Sequence, residues 1–263
     1  MKQLPKITNK QLDILLYLYK FYFLNSNQLQ KLFHHKKPQT VQKWLKDFKD
    51  KNCIATHDFK ENKFISNTQP AVYYLTKLAR QKLKKNKNLD IDILNRVYQT
   101  KSLSSQFVRN CIFLADIYLN LESQVKTGEK LHFSTKANLQ GFDYFPTPMP
   151  DAYIAIKTPK KTKRSFLFLL NSKIPWRILD QRMMAYVEYS HDNHWADYSS
   201  DPLPSFLIIC LNEGTKKHIY KTIASESPDT SFYLTTKDTI QKLGFTGGVW
   251  ERVRIWSKKS RDV

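Results

Sequence analysis

The stretch PQTVQKWLKDFKD, residues 38–50, decides how this chain is read. Val41, Trp44, Leu45 and Phe48 fall at i, i+3, i+4 and i+7, the spacing of a single buried stripe on a helix. Gln39, Gln42, Lys43, Lys46 and Lys49 take the opposite side, and Thr40 stands in the first turn. Pro38 suits the first helical position, where a missing N–H removes nothing the helix uses. Asn52 suits the position just past the end, because asparagine tolerates left-handed backbone. The spacing therefore predicts a helix anchored by one face and offering amides and ammonium groups on the other.

The flanks extend the pattern. Upstream, residues 9–23 carry Ile14, Leu15, Leu18, Tyr19 and the run Phe21 to Phe23, a thick apolar face at helical spacing. Asn25 or Ser26 supplies an N-cap for a second helix that buries Leu29, Leu32 and Phe33. Downstream come the strand-like Ile54 to His57, a charged loop from Asp58 to Lys63, the strand-like Ala71 to Leu75, and a helix opened by Thr76. Three helices followed by a two-stranded hairpin is the order of a winged helix-turn-helix. In that fold the third helix enters the major groove of duplex DNA, about 12 Å wide, and the wing reaches backbone or minor groove. The residues expected to touch DNA are Gln39, Thr40, Gln42, Lys43, Lys46 and Lys49 on the helix, with Lys60 and Lys63 on the wing.

Charge agrees with that expectation. The 263-residue chain has 43 Lys and Arg against 23 Asp and Glu, a formal net charge of +20. Residues 1–100 hold 20 of the 43 basic residues but only 7 of the 23 acidic ones. A surplus concentrated in this way favours a polyanionic partner, since lysine–phosphate contacts release condensed counterions. Cys53, Cys111 and Cys210 are far apart, which excludes a zinc ribbon or a disulfide framework and fits a reducing cytoplasm. The start MKQLPKITNK has no apolar signal-peptide core, and no apolar run approaches the roughly 20 residues of a spanning helix. A cytoplasmic protein with no membrane partner is expected.

The basic run QKLKKNKN, residues 81–88, reads as a domain edge. The expected organisation is a DNA-binding domain over 1–88, a linker over 89–101 and a second domain over 102–263. In the second domain a helix spans 102–126. Strand-like segments follow at 131–134, 152–157, 165–170 and 205–211, with helices near 176–190 and 214–225. A second basic run, Lys157 to Arg164, reads as a hairpin loop. The order is α+β to α/β, around a central mixed sheet.

Several stretches carry a family resemblance. ILLYLYKFYFLNSNQLQKLF (14–33), YYLTKLARQKL (73–83), Pro150-Asp151-Ala152, FLFLLNS (166–172), Arg182-x-x-x-Tyr186 and Trp250 occur in this order. The chain resembles bacterial plasmid replication-relaxation proteins, which are similar to MobC-type conjugative relaxases. The resemblance implies a winged helix fused to a restriction-endonuclease-like domain of the PD-(D/E)xK type. Such a domain holds Mg²⁺ or Mn²⁺ on an Asp and on an acid-x-Lys pair of the next strand, so that the metal polarises phosphate and activates water. Asp151 matches the first position and Lys173 the lysine, but Asn171 stands where the second acid belongs. An amide brings no charge, which makes a poor Mg²⁺ site. Glu122 and Asp143 are the acids that could compensate, and no His-hydrophobic-His motif is present.

Two functions follow as the main expectations, beside a third, a plain transcriptional regulator whose second domain would serve for dimerisation. One is a non-catalytic DNA-binding protein of a plasmid, phage or integrative element, needing no cofactor to bind duplex DNA. It would work beside replication or transfer proteins, with a homodimer allowed. The other is an active metal-dependent nicking endonuclease or relaxase using Asp151, Asn171 and Lys173.

Overall fold

Short polar side chains at the helix starts set the local structure of the first third of the chain. In the computed structural model the described residues are 7–59, 70–84, 89, 94, 104–170, 174–192, 194–226, 228 and 230–254. Helix α1 (Asn9–Phe21) opens on a capping box: Thr8 Oγ1 accepts the Gln11 N–H at 3.3 Å, and Gln11 Oε1 accepts the Thr8 N–H at 3.0 Å. Helix α2 (Ser26–Leu32) repeats the device with Asn25 and Gln28. Helix α3 (Pro38–Asp50) has Pro38 in its first turn and no side-chain cap on Lys37. Its end is a Schellman turn. Asn52 sits at φ 51°, its N–H reaches Lys49 O at 2.9 Å, and the Cys53 N–H reaches Phe48 O at 2.9 Å.

Strands β1 (Leu24–Asn25), β2 (Ile54–His57) and β3 (Val72–Leu75) form an antiparallel sheet in the order β1-β3-β2, with Ile54 opposite Leu75 and Leu24 opposite Tyr73. Helix α4 (Lys77–Leu83) starts at Thr76, whose hydroxyl accepts the Ala79 N–H and donates to the carbonyls of Asn52 and Cys53. That hydroxyl joins the end of α3 to the start of α4. Ile14, Leu15, Leu18, Phe21, Leu29, Val41, Leu45 and Phe48 are buried, as the helical spacing predicts. Lys60 and Lys63 lie outside the described residues, as does the 89–101 linker apart from Leu89 and Leu94.

The chain divides into two compact units, Met1–Leu119 and Asn120–Val263. The division falls within helix α5 (Ser105–Glu122), whereas the sequence reading opens a second domain at 102. Packing accounts for the difference. Val108 and Cys111 cover Phe23, Val72 and Tyr74 of the first unit, and the Gln28 amide donates to Ile112 O and Asp116 Oδ1, both at 2.7 Å.

The second unit is built on a six-stranded mixed sheet of order β4-β5-β6-β7-β8-β9. Strands β4 (Lys130–Thr135), β5 (Ala152–Lys157) and β6 (Thr162–Leu169) form an antiparallel meander, with the short helix α6 (Lys136–Leu139) directly after β4. Helix α7 (Trp176–His191) and the short α8 (His194–Tyr198) connect β6 to β7 (Ser205–Cys210), which runs parallel to β6. Helix α9 (Glu213–Glu226) leads to β8 (Phe232–Thr236), parallel again. Helix α10 (Lys237–Leu243) and the antiparallel β9 (Glu251–Arg252) close the edge.

Register makes the core. Phe166 pairs with Phe206 and Phe206 with Phe232, so alternate positions of three strands stack phenylalanines on one face. The Phe168–Phe206 and Phe206–Phe232 centroids are 5.7 and 4.5 Å apart, near-parallel. Leu179, Met183, Tyr186, Val187, Ile219 and Ile223 of α7 and α9 cover this face. The mixed sheet is as expected. Strand β8, helix α10 and β9 are additions that the sequence pattern did not show. Among the described residues no helix is long and apolar enough to cross a membrane.

Candidate functional site

Two groups of side chains hold the residues singled out by sequence. The first is the outer face of α3. Val41, Leu45 and Phe48 are fully buried, while Gln39, Gln42, Lys43, Lys46 and Lys49 are exposed and Thr40 is half-buried. Trp44 does not join the core stripe fully. It is half-buried, edge-on to Phe33 at 5.8 Å and His35 at 4.8 Å, and so fixes the turn between α2 and α3. Asp47 does not oppose the lysines of the face. Its carboxylate accepts from Lys51 Nζ at 2.7 Å and Gln11 Nε2 at 2.5 Å. The Lys51 hydrogen bond is the main force holding its pKa below the ordinary carboxylate value.

The second group surrounds Asp151, and register explains it. Thr135 pairs with Ala152, so the next residues outward, Lys136 and Asp151, face each other across the end of the ladder. Lys136 Nζ donates to Asp151 Oδ1 at 2.8 Å. Asp151 Oδ2 accepts the Leu169 N–H at 2.7 Å, replacing a main-chain acceptor at the end of β6. The Asp151 N–H donates to Leu167 O at 2.8 Å. Across the core, Tyr186 of α7 lies with its ring centroid 4.2 Å from that of Phe168. Burial first, then the Asp151 charge, push the Tyr186 hydroxyl pKa up, while Arg182 pulls it down. Asp151, Arg182 and Tyr186 thus share one neighbourhood. A phenol so held is a packing group rather than a nucleophile.

Among the described residues this neighbourhood offers no ligand set for a divalent cation. Both Asp151 oxygens have protein donors, and no group of three His, Cys, Asp or Glu able to hold a metal exists among the described residues. Glu122 is half-buried on α5, Asp143 is exposed, and neither brings a ligand set to Asp151. Asn171 and Lys173 lie outside the described residues.

Sequence reasoning missed a cleft of about 340 Å³ lined by Ile174, Pro175, Trp176, Leu179, Asn212, Gly214 and Thr215. It lies past the carboxyl ends of β6 and β7, where open α/β sheets place crevices. Trp176 is 51% exposed there, and its ring lies 4.3 Å from that of His218, which bonds Asp180 at 2.7 Å. Nothing in the local pattern around Trp176 marks it, because the cleft comes from two crossover connections far apart in sequence.

Known proteins give the context. The restriction endonuclease FokI, a solved structure, aligns with 93% of this chain and 47% of its own, at 13% identity and TM-score 0.33, so this chain spans about half its length. No curated protein matches the sequence. The family model described as replication-relaxation matches residues 15–200, well over half of the chain. The protein belongs to the replication-relaxation family.

Proposed function

We propose that the protein is a duplex-DNA-binding member of this family that acts in the replication, relaxation or transfer of a plasmid, phage or integrative element. The first unit works as a winged helix-turn-helix, with α3 as the reader. The carrying observation is the outer face of α3: Gln39, Gln42, Lys43, Lys46 and Lys49 are exposed on a helix whose other side is locked by Val41, Leu45 and Phe48. Amides and ammonium groups on a rigid helix suit base edges and phosphates respectively. The Lys60 and Lys63 wing belongs to the same proposal and adds backbone contact.

The second unit is proposed as a nuclease-like α/β domain that has lost its metal chemistry. Asp151 serves its strand end instead of a cation, which agrees with the amide at Asn171. DNA binding then needs no cofactor. The alternative, a nicking endonuclease or MobC-type relaxase using Mg²⁺ or Mn²⁺, is the outcome to exclude.

Anisotropy titrations on origin-flanking duplex test the first part. Lys43→Ala and Lys46→Ala each weaken binding and lower the slope of log K against log[salt] by roughly one. Unchanged affinity in both rejects α3 as the reader. Supercoiled plasmid incubated with Mg²⁺ or Mn²⁺ tests the second part. It stays intact with the wild type, and nicking that Asp151→Ala abolishes would overturn the reading.

A further inference from the structure

The hairpin joining β5 to β6 lies at the opposite end of β5 from Asp151, six residues or roughly 20 Å along the strand. Its turn is fixed: the Thr158 N–H and hydroxyl both donate to Lys161 O at 2.8 Å, and the Lys161 N–H donates back to Thr158 Oγ1 at 3.1 Å. Pro159 fixes one more backbone angle. Lys157, Lys160, Lys161 and Lys163 are all exposed on this hairpin. Strand β4 adds Lys130, also exposed, which the register places directly opposite Lys157. Among the described residues none of these five ammonium groups has an ion-pair partner. Of the nearby carboxylates, Asp201 holds Arg164 at 2.5 Å, and Glu129 accepts the Lys126 N–H through one oxygen and forms no ion pair with Lys130.

Like charges directly opposite on paired strands are destabilising. A solvated basic face needs no such pairing, and a rigid turn that gathers lysines gives up the freedom by which they would separate. The arrangement is relieved by an external polyanion. Because β6 begins pairing with β7 only at Ser165, Thr162–Arg164 run free of β7, and the end of the three-stranded β4-β5-β6 meander carries its lysines past that strand, where they can meet backbone phosphates. The exposed tip, Lys157 to Lys161, has no large apolar side chain to bury in a bilayer, so a membrane surface is disfavoured.

We infer that the Lys130–Lys157 pair and the Lys160–Lys161 turn form a second, sequence-independent phosphate-contacting arm for duplex DNA in the second unit. The inference rests on the DNA-binding reading only for the identity of the polyanion. The arm and α3 are separate surfaces that succeed or fail separately.

The test uses full-length protein and a labelled duplex of about 30 base pairs, titrated across salt concentrations. Four proteins are compared: wild type, the hairpin variant Lys157→Gln/Lys160→Gln/Lys161→Gln, the helix variant Lys43→Ala/Lys46→Ala, and the two combined. The hairpin variant lowers the salt slope by about 0.9 for each phosphate it no longer neutralises, roughly two to three in all, and weakens binding roughly tenfold or more at about 0.1 M salt. The weakening is equal on unrelated sequences. An unchanged slope overturns the arm, whatever the helix variant does. A lowered slope beside an unaffected helix variant upholds the arm and rejects α3. Vesicles of phosphatidylcholine with phosphatidylserine form the second arm of the experiment: hairpin-dependent vesicle binding with an unchanged DNA slope overturns the inference in favour of a membrane. Should the triple variant misfold, Lys130→Gln alone is read in the same way. It removes one opposing charge, is expected to lower the slope by about one, and overturns the arm if the slope does not move.

Discussion

The lysines of α3 and Lys136 are the same side chain in two electrostatic situations. Lys43 and Lys46 project from a helix that ends on the exposed Asp50, and its other carboxylate, Asp47, is already held by Lys51 and Gln11. Lys136 meets Asp151 at 2.8 Å, and that carboxylate also terminates a strand. The first arrangement leaves positive charge for a partner. The second uses charge inside the fold. The difference teaches that a motif residue such as Asp151 cannot be assigned from its spacing alone, because a carboxylate with two internal donors has a structural task before any catalytic one.

The two faces of α3 give the largest expected contrast. Leu45→Ala removes a side chain 2% exposed in the first-unit core and should cost about 2–5 kcal/mol in urea denaturation. Lys46→Ala, one residue on, should stay within about 0.5 kcal/mol of wild type while weakening DNA binding. Equal destabilisation of both would break the division between anchoring and reading faces.

Next in size is Asp151. Asp151→Ala leaves the Leu169 N–H and Lys136 without their acceptor and should lose about 1–3 kcal/mol, with DNA affinity kept. Asp151→Asn keeps one acceptor oxygen and should recover part of that loss. An Ala variant of wild-type stability would show that the carboxylate serves something other than the strand end.

The smallest effect concerns Asp47 and Lys51. The folded pKa of Asp47 lies below its ordinary 3.8, so ionisation stabilises the native state. That contribution is complete above the unfolded value and disappears as pH falls through the folded one. The pair is partly exposed, with 42% of the Asp47 side chain accessible, so solvent screening leaves only roughly 0.2–1 kcal/mol. Lys51→Met should therefore lower the denaturation midpoint slightly at neutral pH and match wild type once Asp47 is protonated. A difference that persists in acid would assign the effect to packing of the Lys51 stem.

Cysteine chemistry separates the same two levels. All three thiols are buried, and burial pushes Cys210 up to about 12. Native protein should resist alkylation by iodoacetamide until denatured, and rapid modification of Cys210 in the folded state would contradict its packing.

By itself the sequence determined the elements with strong local signals. The stripe Val41, Leu45 and Phe48, the caps at Asn25 and Thr76, the Asn52 stop and the strands over 152–157 and 205–210 follow from side-chain periodicity and short-range hydrogen bonds. Those causes act within a few residues, and so they can be read there. Only the tertiary structure decided that α5 covers the first sheet, that Lys136 faces Asp151, that Lys130 faces Lys157, and that Trp176 borders a cleft with Asn212. Each depends on register or on contacts between segments distant along the chain. Strand pairing has a period of two and no sequence mark for its offset, so the partner of a charged residue is fixed only when the whole sheet buries its phenylalanine face.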